Sequence, residues 1–205
     1  MEDRITSAAQ LRTIYEQPIE RALRKQIDHL DGHCRDYIAR APFALLATSS
    51  ADGRCDVTPR GGPPGFCRVL DDGRLAIPDV KGNRRLDSLT NIVENPHAGL
   101  VFLIPGMQET LRVNGAAALT REAAIVQEVS STGKPAILAI VVEPEEVFMH
   151  CAKAFIRSAL WDPQTWPGPD ERPVAAAIMR DHMQSDLSVE EVAAQSLESI
   201  RTRLY

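Results

Sequence analysis

Two adjacent arginines, Arg84 and Arg85, follow a glycine-containing turn, Lys81-Gly82-Asn83. After them Leu86, Leu89, Ile92 and Val93 recur at helical spacing. The spacing predicts a helix over 84–94 with Asn83 as its N-cap, so both cations fall on the first turn. Positive charge is disfavoured there, because the helix macrodipole presents its own positive end. An anion bound at that position removes the conflict, held by free backbone N–H groups and by the guanidinium forks. A phosphate is the expected anion. Taken alone, the stretch also reads as two solvated surface charges.

A second stretch, Asp56-Val57-Thr58-Pro59-Arg60-Gly61-Gly62-Pro63-Pro64-Gly65-Phe66, sets a hydroxyl and a cation at a strand end beside a glycine-rich bend. Glycine lets a backbone approach a ligand closely, so this can form the lip of a site for a planar, phosphorylated molecule. Other reactive side chains group less well. His29 and His33 stand four apart on an expected helix, without an acidic or cysteine partner that completes a metal motif. Cys34, Cys55, Cys67 and Cys151 are scattered, as isolated thiols in a reducing compartment are. His150 beside Cys151 is read as structural, since neighbours in sequence need not meet in space.

The elements that would position these residues follow from periodicity and turn signals. Residues 7–17 read as a short helix capped by Ser7, and Pro18 opens a second one carrying Ile19, Leu23, Ile27 and Leu30. Gly32 breaks that helix before a last turn through Tyr37 and Ile38. Strands are expected at 43–48, 54–60, 66–70 and 74–77, the last ended by Pro78. Further strands are expected at 98–104, at 109–119 with a bend or bulge at Gly115, at 136–142 and at 147–149. Helices are expected near 121–129, on the segment bearing Lys153 and Arg157, and over 174–184 and 189–203. Ser188 with Glu191 makes a capping box for the last. Many short antiparallel strands with interposed helices indicate a mainly β, α+β barrel or sandwich.

Composition limits what such a chain can do. With 205 residues, 44% of them apolar, it can bury a sizeable core. A formal net charge of −5 argues against a nucleic-acid coat, which needs a basic stripe. Apolar runs fall short of bilayer length, and the opening Met1-Glu2-Asp3-Arg4 carries no signal-peptide pattern. A cytoplasmic protein with no nucleic-acid or membrane partner is expected.

The order ADGRCDVTPRGGPPGF, LAIPDVKGNRRLDSLTNIVENP, ETLRVNGAA and HCAKAFIRSALW resembles the pyridoxamine 5′-phosphate oxidase-like flavoproteins, in particular the bacterial FMN-dependent group of uncharacterised substrate. The resemblance covers about residues 15–165, with GNRRLDSL and CAKAFIRS as its most specific parts. It implies a six-stranded antiparallel FMN-binding split β-barrel over 42–161. N-terminal helices (1–41) would pack on it, and a proline-rich linker with C-terminal helices (162–205) would follow. It implies a homodimer with two FMN sites between the subunits and an oxidoreductase with a small-molecule substrate and an electron donor or acceptor.

By position, Asn83, Arg84 and Arg85 match the family's phosphate grip. Thr58, Pro59 and Arg60 match the strand meeting the isoalloxazine edge, and Ile77, Pro78 and Asp79 the strand lining ring and ribityl chain. Thr110 and Arg112 fall near further flavin contacts, while Lys153 and Arg157 would reach the site from the partner subunit. The tail departs from true pyridoxamine phosphate oxidases: Asp181-His182-Met183-Gln184-Ser185-Asp186 and Glu190-Glu191 replace a segment rich in Trp and Arg. That argues against oxidation of a phosphorylated pyridine. A flavin carrier or redox sensor without turnover, or the same barrel holding haem or a deazaflavin, are the other readings.

Overall fold

The computed structural model describes residues 3–71, 73–130 and 133–203. Seven antiparallel strands form one curled sheet: β1 (Phe43–Ser49), β2 (Cys55–Gly61), β3 (Arg68–Val69), β4 (Leu75–Asp79), β5 (His97–Leu103), β6 (Thr110–Thr120) and β7 (Leu138–His150). Their order across the sheet is β2-β1-β5-β6-β7-β4-β3. The expected mainly β, α+β class is present, with seven strands in place of six; the extra one is the two-residue β3, all that forms of the strand expected at 66–70. Among the described residues eight α-helices accompany the sheet: α1 (Ala8–Ile14), α2 (Glu20–Arg24), α3 (Gly32–Arg40), α4 (Asp87–Glu94), α5 (Ala123–Ser130), α6 (Lys153–Ser158), α7 (Ala175–Met183) and α8 (Val189–Arg203).

Strand alternation divides the side chains between two faces. Ala44 and Leu46 of β1, Leu100 and Phe102 of β5, Leu111 and Val113 of β6, and Ile140 and Val142 of β7 fill the concave side. Ile38 of α3 with Leu89 and Ile92 of α4 close this core. Each of the larger side chains, fully buried, contributes about 1.5–3 kcal/mol. A smaller cluster lies on the other face, where Ile125 and Val129 of α5 cover Ala76, Ala139 and Val141. Tyr37 ties α3 to the β5–β6 turn by donating its hydroxyl to the Glu109 carbonyl at 2.9 Å.

Several expected boundaries move, each for a local reason. The helix expected from Pro18 stops at Arg24, because Ile27 instead pairs with Val147 through two backbone hydrogen bonds of 3.0 and 2.8 Å. Gly32 opens α3 rather than breaking a helix, since the Asp31 carboxylate caps the helix by accepting the Cys34 N–H at 2.8 Å. That hydrogen bond holds Asp31 below the usual carboxylate range. His29 lies ahead of α3, bonded to Asp28, so His29 and His33 do not share a helical face.

Pro78 does not end its strand. It sits inside β4 opposite Ala139, and β3 pairs only as far as Ala76, so beyond that point β4 is an edge that proline can occupy. Pro144 likewise lies within a continuous β7, where the ladder slips between Asn114 and Gly115. The expected bulge at Gly115 is therefore present. A Cβ there would overlap the Glu143 carbonyl oxygen. The capping box of α8 forms as read, with Ser188 Oγ accepting the Glu191 N–H and Glu191 Oε2 accepting the Ser188 N–H.

Candidate functional site

Curling brings the two ends of the strand order close together without joining them by backbone hydrogen bonds. β2 is one edge, and β4 beyond Ala76 is the other. Asp56, Thr58 and Arg60 of β2 lie opposite Thr48, Leu46 and Ala44 of β1, hence on the concave face. Arg60 reaches across the gap and donates from Nη1 to Asp79 Oδ1 at 3.0 Å. Both side chains are mostly buried, 21% and 16% exposed. This ion pair closes one side of the split with side chains where backbone pairing is absent.

A cleft of about 430 Å³ opens beside the pair. Its walls are Asp56, Thr58 and Arg60 of β2, Asp79 of β4, the loop 80–86 and the first turn of α4. The structure thus gathers Thr58, Arg60, Asp79, Asn83, Arg84 and Arg85 around one space. Pro59 and Pro78, with Arg60, line an adjoining pocket of about 230 Å³ bounded by Gly61-Gly62-Pro63, Phe66 and Val80. Ile77 is fully buried in the core and supports the wall from behind.

The arginine loop differs from its expected form. α4 begins at Asp87, so Arg84 and Arg85 precede the helix instead of riding on its first turn. Asp87 takes that place, the position where the helix dipole favours an acid. The conflict between cations and dipole therefore does not arise in the folded chain. Asn83 is not the helix cap; its Oδ1 accepts the Arg85 N–H at 3.1 Å within the loop. Arg85 donates from Nε to Asp87 Oδ2 at 2.7 Å, which raises the Arg85 pKa above its usual range. Arg84 and Leu86 both adopt left-handed backbone, with φ of 65° and 61°.

Four residues of the cleft carry no signal that the sequence reading used. Lys81 adds a cation, Asp87 pairs Arg85, and Ser88 Oγ donates to Asp56 Oδ2 at 2.6 Å. Asp56 could have been found from the two-residue alternation that places it with Thr58 and Arg60. Ser88 could not, since its role depends on where α4 packs. Arg60 Nε is buried without a hydrogen-bond partner among the described residues.

Thr110, Arg112, Lys153 and Arg157 lie elsewhere. Thr110 and Arg112 share the convex face with Leu45, Val101, Leu103 and His150, lining a mainly apolar groove of about 450 Å³ that Phe155 of α6 borders. Arg112 and Lys25 sit over the Phe148 ring, at 4.9 and 5.1 Å from its centroid. Lys153 and Arg157 are exposed on α6 and lie outside the lining of their own chain's cleft. Among the described residues no group of acids, histidines and cysteines is placed to hold a metal ion, and no helix is long and apolar enough to cross a membrane.

Residues 30–151 match the family described as pyridoxamine 5′-phosphate oxidase. No curated protein matches the chain at a significant level. Similar solved structures include a putative pyridoxamine 5′-phosphate oxidase from Lactobacillus delbrueckii, 22% identical, covering 60% of this chain and 95% of that one, with a TM-score of 0.46. A histidine-to-alanine variant of HupZ from Group A Streptococcus is 18% identical over 59% of this chain and 99% of its own, with a TM-score of 0.48. HutZ, the haem storage protein from Vibrio cholerae, is 12% identical over 60% and 94%, with a TM-score of 0.40.

Proposed function

Starting from the chain's membership of the pyridoxamine 5′-phosphate oxidase family, we propose that it is an FMN-dependent oxidoreductase acting on a small organic molecule, with FMN held between two copies of the chain. The observation that carries this reading is the convergence of Thr58, Arg60, Asp79, Asn83, Arg84 and Arg85 on one cleft at the split of the barrel. Four features fit FMN. Lys81 and Arg84 offer cations beyond the two paired arginines, as a phosphate dianion requires. The first backbone N–H groups of α4 are orphaned by helix geometry and lie at the same wall. Arg60 keeps a buried Nε–H unpartnered. Two non-glycine residues hold left-handed backbone in the phosphate loop, a conformation that costs about 1–3 kcal/mol each and clusters at ligand clamps.

In this reading Asn83, Arg84 and Arg85 take the phosphate. Asp79, beside Pro78 and in front of Ile77, faces the ribityl chain. Thr58, Pro59 and Arg60 border the ring, where the pocket against Gly61-Gly62-Pro63 adjoins the cleft. Bound flavin supplies hydride or electron transfer at its ring. Arg60, fixed by Asp79, contributes positive charge where reduced flavin is anionic. Thr110, Arg112, Lys153 and Arg157, which lie outside the lining of their own cleft, would serve the site of a second copy that covers the convex apolar groove.

The test is the visible spectrum of the purified protein, with the released ligand identified by mass. Flavin absorption with FMN released supports the reading. A colourless protein that also fails to bind added FMN overturns it, and a haem spectrum or a deazaflavin mass replaces the cofactor. Reduced protein that passes electrons to acceptors no faster than free FMN would make it a carrier or sensor instead of an enzyme.

A further inference from the structure

The helices at the two ends of the chain leave apolar faces uncovered. α1 and α2 contain no buried residue, while Leu11, Ile14, Tyr15, Ile19 and Leu23 are each at least 44% exposed. Helices of seven and five residues are marginal in water unless a surface packs against them. α7 and α8 pack on each other around Val192, yet Ile178, Met179, Met183, Leu197 and Ile200 remain exposed.

Both segments leave the sheet at one end. Lys25 donates to the Met149 carbonyl at 3.0 Å, and Ile27 pairs with Val147, so the N-terminal segment departs from the end of β7. Trp161 donates to the Met107 carbonyl at 2.9 Å, anchoring the linker to α7 on the β5–β6 turn. Thr110 and His150 are paired, which makes these two places neighbours at the rim of the convex groove.

Their charges are complementary. Setting aside the internal pair Arg24–Glu20, residues 8–25 keep Arg12, Arg21 and Lys25 against Glu16. Setting aside Arg180–Asp181 and Arg201–Glu198, α7 and α8 with their connection keep Asp186, Glu190 and Glu191 among the described side chains.

We propose that residues 8–25 of one copy dock on the α7–α8 pair of a second copy, so that the dimer is clasped by exchanged arms. Apolar faces supply the contact area and the opposite charges fix its register. The inference rests on the second copy invoked for the FMN site.

The experiment uses two full-length variants. One reverses the arm (Arg12→Glu with Arg21→Glu), and the other reverses the helix pair (Asp186→Lys with Glu190→Lys). Each homodimer then sets like charges together, whereas the mixed dimer restores both contacts. Native mass spectrometry of an equilibrated equimolar mixture should find the ratio of mixed dimers to homodimers about tenfold above the statistical one to one, the size expected of a few exposed ion pairs. A chain carrying all four substitutions should dimerise like the wild type. Statistical mixing, or a wild type that stays monomeric, overturns the proposal; docking of the arm on its own chain also gives statistical mixing.

Should the reversed chains misfold, carbodiimide coupling of wild-type chains labelled with light and heavy nitrogen decides instead. Lys25 joined to a carboxylate of α7 or α8 in mixed-isotope products supports exchange; coupling only within one isotope, or none, overturns it. Yellow dimers that mix statistically would sink the arm exchange alone. Mixed dimers that hold no flavin would sink the cofactor reading alone.

Discussion

Arg84 carries two opposed demands, a cation facing the cleft and a left-handed backbone that its Cβ disfavours. Arg84→Gly separates them. Glycine takes φ near +65° without penalty, so the variant should melt higher than the wild type, by an amount worth about 1 kcal/mol. The same change removes a charge-assisted contact to phosphate worth about 1.5–3 kcal/mol, so FMN titration should show affinity lower by roughly ten- to a hundredfold. A loss of affinity together with a loss of stability would contradict this account.

The buried thiols give a second residue-scale expectation. Burial first, and then the hydrogen bond and charge of Asp31, push Cys34 up to about 11, while burial drives Cys67 higher still. An unfolded thiol releases its proton near pH 8.5, so above that point the folded state holds more protons. Stability is then complete below about pH 8.5 and falls as pH rises toward 11. Cys34→Ala with Cys67→Ala should flatten that fall in melts recorded from pH 8 to 11. In the native wild type only the exposed Cys55 and Cys151 should react with a thiol reagent at pH 8.

At the scale of elements, the strands were legible because alternation and turn signals are local. Thr58 and Arg60 point to one side and Pro59 to the other by the two-residue period alone. Helix starts were less legible, because they depend on backbone conformations that the residue types disguise. Arg84 and Leu86 look like helix formers, yet both are left-handed, and α4 therefore begins at Asp87. Pro78 reads as a strand end, and Pro144 falls in the gap expected between the strands at 136–142 and 147–149, because whether a proline sits at a sheet edge or a bulge is decided by pairing partners far away in sequence.

Gly115 is the converse case, where one residue type announced a tertiary feature. Its bulge allows β6 and β7 to continue past the register slip as the two longest strands, and the curl that forms the split depends on them. Gly115→Ala drives a methyl group into the Glu143 carbonyl. It should cost about 3 kcal/mol as an overpacking defect, lowering the melting temperature by about 6–12 °C. Gly133→Ala, where a Cβ meets nothing within 4 Å, is the matched control and should leave the melt within about 2 °C.

At the scale of the whole molecule, one chain supplies an incomplete set of the residues that the family resemblance assigns to FMN. Asn83, Arg84 and Arg85 line the cleft, whereas Arg112 faces the opposite side of the sheet and Arg157 is exposed on α6. Sequence alone could name these residues but not their sides, because the side follows from the curl of the sheet and the place of α6. If the sites are shared, Arg84 of one chain works with Arg157 of the other. A dimer mixing an Arg84→Ala chain with an Arg157→Ala chain then concentrates both defects in one site and leaves the second intact. Such dimers, isolated by two affinity tags, should bind half the FMN of the wild type at wild-type affinity, while each variant homodimer binds weakly at both sites. If each chain instead built its own site, every site in the mixed dimer would carry one defect, and no high-affinity half would remain. Stoichiometry thus separates the two arrangements without any need to know the substrate.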